Sequence, residues 1–143
     1  MPYEFLEEVA IADIAFKATG KDLEELFVAA AEATMNVMVE ELASILPTEE
    51  RKLTFENDAL DLLLFDFLQE LIYVKDAEEL LLRVGQVKLE ERDNRFFLQA
   101  TARGEKIDPS RHRLRVDVKA VTLHQFRVET NNQGWEAHVI LDI

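Results

Sequence analysis

The chain has 143 residues, 48% of them hydrophobic and 31% charged, the profile of a folded globular chain and not of a disordered one. Lys and Arg number 16 against 29 Asp and Glu, a formal net charge of -13, which speaks against direct nucleic-acid binding and suits a basic protein partner or a cation. Cysteine is absent, which excludes disulfides, thiolate zinc sites and cysteine nucleophiles.

Met1-Pro2-Tyr3-Glu4-Phe5 carries no basic region leading into an apolar core, so no signal peptide is expected. The apolar runs are broken by acids before they reach membrane-spanning length, and a cytoplasmic location follows as the expectation. Tyr3 to Thr19 reads as a strand. Its later part places Ala12, Ile14, Phe16 and Ala18 on one face and Ile11, Asp13, Ala15 and Lys17 on the other. Asp13 is thus an acid inside an apolar and small-residue run. Thr19-Gly20-Lys21-Asp22 breaks the strand, and Asp22 with Glu25 resembles a capping box. Leu23, Leu26, Phe27, Ala30, Ala31 and Thr34 recur at helical spacing and predict an amphipathic helix to about Leu42. Met35 and Met38 fall on it as core filler. Pro47 closes the segment.

Arg51 to Glu56 is a short strand candidate, and Asn57-Asp58 can cap a second helix over about Ala59 to Val74. Leu60, Leu63, Leu64, Phe67, Leu68, Leu71 and Ile72 point inward, with Asp61, Asp66, Gln69 and Glu70 on the wetter side; so apolar a helix is expected to be heavily buried. From Glu79 the period becomes two. Leu82 and Val84 hold one phase and Val87 and Leu89 the other, which predicts a bulge near Gly85-Gln86. A turn at Glu91-Arg92-Asp93-Asn94 leads into Phe96, Leu98, Ala100 and Ala102. Gly104 to Arg113 is polar, and Leu114, Val116 and Val118 give a further strand candidate. A last hairpin spans about Thr122 to Ile143, turning at Asn131-Asn132-Gln133-Gly134. With no repeat or linker, the expectation is one domain over 1-143, an α+β fold of two main helices on antiparallel or mixed sheets built largely from hairpins.

The final stretch alternates strictly. Trp135, Ala137, Val139 and Leu141 share one face, and Glu136, His138, Ile140 and Asp142 the other. Asp142 and the carboxylate of Ile143 therefore end an ordered element and form part of a cage for a hard cation. With Asp13 beside them, three carboxylates would converge, and calcium or magnesium would relieve their repulsion. The alternative is unrelated surface acids. A Gly-rich phosphate loop and a paired-histidine metal motif are both missing, and His112, His124 and His138 are spread along the chain, so a hydrolase triad is not expected. Lys119 is a candidate for contacting a phosphate or a partner's acid, and His124 for proton exchange near neutrality.

The order of motifs resembles the archease family, the activators of the RtcB-type RNA-splicing ligase. The matching pieces are Tyr3-Glu4-Phe5-Leu6, Ala12-Asp13-Ile14, Gly20 to Phe27, Asn36-Val37-Met38, Leu62 to Tyr73, Arg103-Gly104-Glu105, Val118 to His124, Gly134-Trp135-Glu136 and Leu141-Asp142-Ile143. The resemblance implies a divalent-cation site to which Asp13 and Asp142 contribute, with the Ile143 carboxylate beside them. Lys119 corresponds to the lysine of the family's Lys-Ala-Val/Ile-Thr motif. It also implies no catalysis and no bound nucleotide of the chain's own: the GTP belongs to the partner ligase, whose histidine accepts guanylate. No RNA or membrane contact is expected. One departure is that the family's His-Thr ahead of the Ala-Asp pair is Ala10-Ile11 here, after a longer run from Phe5. The rival expectations are a chaperone-like binding module for RNA-processing enzymes and a stand-alone metal-dependent enzyme.

Overall fold

The computed structural model describes residues 2–6 and 13–143. Strand β1 (Tyr3–Phe5) and strand β2 (Asp13–Gly20) lie antiparallel, Tyr3 opposite Ala18. The single strand expected over Tyr3 to Thr19 is therefore corrected to two strands that fold back on each other. The face assignments of Ile11 and Ala12, and the Ala10-Ile11 departure from the family pattern, lie outside the described residues.

Helix α1 (Leu23–Met38) opens where Asp22 accepts the Glu25 amide at 2.8 Å, satisfying one of the free donors of the first turn. The expected run to Leu42 is too long. Asn36 turns its side-chain amide onto the carbonyls of Val39 and Glu40, each at 3.1 Å. Val39 leaves the helix to bridge Leu114, and a 3-10 turn (Leu42–Ser44) follows. Strand β3 (Glu49–Asn57) precedes helix α2 (Leu60–Glu78), whose entry is tied by Asn57 accepting the Ala59 amide at 3.0 Å. Helix α2 runs one turn beyond the expected Val74 and ends at Glu79 in the left-handed region, φ 53°. Leu63, Leu64, Phe67, Leu68, Leu71 and Ile72 are buried as expected, while Leu62 and Tyr73 face outward.

Strands β4 (Leu80–Arg92) and β5 (Arg95–Lys106) form the expected hairpin. The register slips between Val84 and Gln86, as the change of phase required, and Asp93 and Asn94 both take positive φ, the geometry of a tight primed turn. The strand expected at Leu114, Val116 and Val118 does not form. The Arg115 and Val116 amides donate instead to the carbonyls of Met38 and Val37 at the end of α1, so that stretch pairs with a helix terminus. Strands β6 (Ala120–Asn131) and β7 (Gly134–Asp142) complete the fold.

Two antiparallel sheets result, ordered β1-β2-β7-β6 and β3-β5-β4. Helix α1 touches β2 and β7 of the first and β4 of the second, while α2 touches β6, β3, β4 and β5, so each helix bridges both sheets. The alanines of α1, Ala29, Ala30, Ala31 and Ala33, are all buried, and their small side chains permit that close approach. Phe67 sits at the centre, its ring 5.8 Å from Phe27 and 6.2 Å from Phe55. Among the described residues, no helix is long and apolar enough to cross a membrane.

Candidate acidic site on the β2–β7–β6 sheet

The pairing of β2 with β7 sets Asp13 opposite Asp142, and the pairing of β7 with β6 sets Asp142 opposite Ala120. Residues opposite one another on neighbouring strands project to the same face, with Cβ atoms about 4.5–5.5 Å apart. The two aspartates, 129 positions apart in the chain, thus share one rung of one sheet. Their other faces explain why the strands meet here: Phe16, Ala18, Ala137, Val139 and Leu141 are buried against the helices. Alternation then leaves Asp13 and Asp142 on the outward side, half-buried. Ile143 follows directly, its side chain packed against the core.

One rung further along the same face, Ala15, Ile140 and Thr122 stand side by side. Ala15 and Ile140 are buried although they face away from the helices. The Thr122 hydroxyl is buried and has no hydrogen-bond partner among the described residues, which is costly for a polar atom left dry. Two carboxylates and an orphaned hydroxyl on neighbouring rungs are hard oxygen donors of the type calcium and magnesium take. Among the described residues no three His, Cys, Asp or Glu side chains gather into a metal cage. The donor set therefore fits a hard ion held by few protein oxygens and completed by water, not a closed zinc-type site.

Lys119 adjoins this rung through its backbone, its amide donating to the Asp142 carbonyl at 2.8 Å while the side chain is exposed. His124 stands apart from it. The β6–β7 register jumps between Thr122 and Arg127, so four residues of β6, Leu123 to Phe126, bow outward opposite Val139. Gln125 takes φ 53° to make the bend, Phe126 packs edge-on against Phe65 at 5.9 Å, and His124 and Leu123 project outward. His138 shares the outward face of β7; burial, followed by the positive charge of Arg127, lowers its pKa. His112 belongs to another cluster altogether. Its Nδ1 accepts the Asp108 amide at 2.9 Å and its Nε2 lies 2.8 Å from Glu105, so the proton of the neutral ring is on Nε2. The three histidines do not converge, as their spacing suggested.

Two charged groups escaped the sequence reading. Glu105 is buried beneath the Leu46 amide, Arg111 and His112. Lys75 is buried at the end of α2 with Asp76, Asp117 and the Val118 carbonyl around its ammonium. Its signal was present, since Leu64, Leu68, Leu71 and Lys75 follow one helical stripe and only the last is not apolar.

What the fold and this rung define is a class: a two-helix α+β protein whose antiparallel sheet brings acids from the two ends of the chain together. The model of the Archease protein family (MTH1598/TM1083) matches residues 3–143. Protein archease of Pyrococcus abyssi is 38% identical over 133 residues, 92% of this chain and 93% of that protein. Its counterpart in Methanosarcina mazei is 36% identical over 142 residues, covering 99% and 95%. The solution structure of Methanobacterium thermoautotrophicum protein 1598 superimposes with a TM-score of 0.85 at 36% identity, covering 99% of each chain. A crystal structure of an archease from Thermotoga maritima, 17% identical with TM-score 0.56 over 96% of this chain and 94% of that one, shares the fold. The chain belongs to the archease family.

Proposed function

We propose that this chain is a protein cofactor that activates an RtcB-type RNA ligase in RNA splicing or repair, speeding the ligase's guanylylation and allowing it to turn over repeatedly. In this reading Asp13, Asp142 and the Ile143 carboxylate hold a calcium or magnesium ion. The observation that carries it is the shared rung of Asp13 and Asp142, which sets two hard oxygen donors on one face of one sheet, where a single cation can take both. When bound, the ion supplies positive charge of the kind that stabilises nucleotide phosphates during phosphoryl transfer.

The chain's own residues fix and present that charge. Three hydrogen-bonded strands hold the two aspartates at a set spacing, so little is left to order when the cation or the partner arrives. Lys119, whose amide is pinned to Asp142, offers a second positive charge to a phosphate or to a partner's carboxylate. His124, on the outward bow of β6, offers the partner a hydrogen bond. A net charge of -13 favours encounter with a basic protein surface over RNA.

The test is to mix the purified chain with its cognate ligase and GTP and to follow guanylate bound to the ligase. Wild type should accelerate that step and show no nucleotide chemistry alone. D13N, D142N and chelation should each remove the acceleration. No acceleration by wild type refutes the activator role, and acceleration that survives both substitutions and chelation refutes the cation's part in it.

A further inference from the structure

We infer that Lys75 positions the Asp142 end of the acidic site, acting through the backbone of the segment that enters β6. The inference rests on the cation-site reading above. Lys75 lies in the last turn of α2 and is only 5% exposed. An ammonium has three protons to donate, and here each has an oxygen: Asp117 Oδ1 at 2.6 Å, the Val118 carbonyl at 2.9 Å, and the Asp76 carboxylate. Two of the three acceptors belong to consecutive residues, Asp117 and Val118. The next amide, that of Lys119, donates to the Asp142 carbonyl at 2.8 Å. Three successive residues are thus fixed, two to the helix and one to β7. Gln69, further back on α2, adds a tie by accepting the Val121 amide at 3.0 Å.

Asp142 is held between two strands, β2 on one side and the Lys119–Ala120 corner on the other. The first carries Asp13. The second owes its place to α2, and Lys75 is the group that makes the connection. Packing alone does not account for a lysine at this position, because an apolar side chain of similar length would fill it without requiring acids nearby. Nor does ion pairing, since Asp117 is 72% exposed and exposed partners contribute little to stability. What an ammonium provides and a methyl group does not is directed donation to a main-chain carbonyl. Burial lowers its pKa, but the hydrogen bonds to Asp117 and Asp76 more than offset this and raise it, so it stays charged at neutral pH.

Four variants and two readouts test the positioning role: K75M, K75R, D117A and D76A, followed by hydrogen exchange at the Lys119 amide in metal-free protein and by calorimetric titration with calcium alone. K75M should speed Lys119 exchange and weaken calcium binding by up to about tenfold, the lower end of what disturbing the surroundings of a metal ligand costs; D117A, which leaves the Val118 carbonyl tied to the ammonium, should move both readouts the same way by less. K75R should restore part of both effects. D76A removes an equal charge from the same ammonium but leaves residues 117–119 tied, so both readouts should stay at wild-type values. Equal effects of D76A and D117A would show that Lys75 requires only charge balance, and would overturn the inference. So would unchanged exchange in K75M, or faster exchange with unchanged calcium affinity. D117A alters an exposed side chain and keeps the test open if K75M fails to fold. Wild type that binds no calcium refutes the cation-site reading instead, and Lys119 exchange still decides whether Lys75 fixes this corner.

Discussion

Replacing Glu105 by Gln removes one negative charge from a buried cluster without changing its shape. Glu105 is 9% exposed on β5, and one of its oxygens accepts the Leu46 amide at 2.8 Å and the Nε2–H of His112 at 2.8 Å, with Arg111 alongside. The His112 side chain is wholly buried, so its Nε2–H cannot turn to water instead. The hydrogen bond from Arg111, assisted by the Leu46 amide and His112, lowers the Glu105 pKa from 4.5 to about 2. A neutral amide keeps one acceptor but sets its own NH2 group against these donors. Hydrogen bonds to a charged group contribute about 1.5–3 kcal/mol, so a loss of about 2 kcal/mol at neutral pH is expected. For a chain of this size that is a fall in Tm of roughly 6–8 °C. The sign with pH follows from the lowered pKa: the carboxylate's contribution is whole above about 4.5 and is lost as pH falls toward about 2. Urea titrations followed by the fluorescence of Trp135, the single tryptophan, should show a wide gap between wild type and E105Q at pH 7 that closes between pH 4.5 and 2. A gap of constant size across that range, or none at pH 7, would refute the account.

Three further outcomes are expected. F67A should cost about 3–5 kcal/mol, because it opens a cavity between Phe27 and Phe55 that the two-sheet frame cannot close; equilibrium denaturation measures it. G134A should be destabilising by at least about 1 kcal/mol on the same measurement, since φ is 138° and a Cβ would stand 2.4 Å from the Gly20 carbonyl oxygen. N36A, which strips the amide that holds the Val39 and Glu40 carbonyls, should lower stability by about 1 kcal/mol and speed exchange at the end of α1.

The parts of the fold legible in the sequence are those fixed by neighbours along the chain. The β7 alternation, the phase slip beside Gly85 and the Asp93-Asn94 turn each follow from a few adjacent residues. The parts that were not legible depend on distant ones. Leu114 to Val118 has a strand's alternation, yet its amides find the open carbonyls of α1. Helix α1 has apolar residues enough to continue, yet Asn36 and the Val39–Leu114 bridge end it. The outward bow of Leu123 to Phe126 leaves no local mark, because what holds it is Phe65 of α2. For the acidic site, each aspartate was visible as an acid in an apolar run, while their meeting on one rung is a property of strand order that no local pattern contains. Lys75 showed itself only as the one charged member of an apolar stripe, and its tie to Asp117 spans 42 positions; Glu105 has Arg111 and His112 near it in sequence, but the Leu46 amide that completes its site lies 59 positions away.

Helix α2 does more to β6 than cover apolar surface. Gln69 and Lys75 occupy a main-chain donor and a main-chain acceptor along that outer margin, the Val121 N–H and the Val118 carbonyl. An incoming extended peptide would have to displace both before it could extend the sheet there. The side nearest Lys119 is therefore guarded against templated growth, since a second copy adding its strand there would first have to break both bonds.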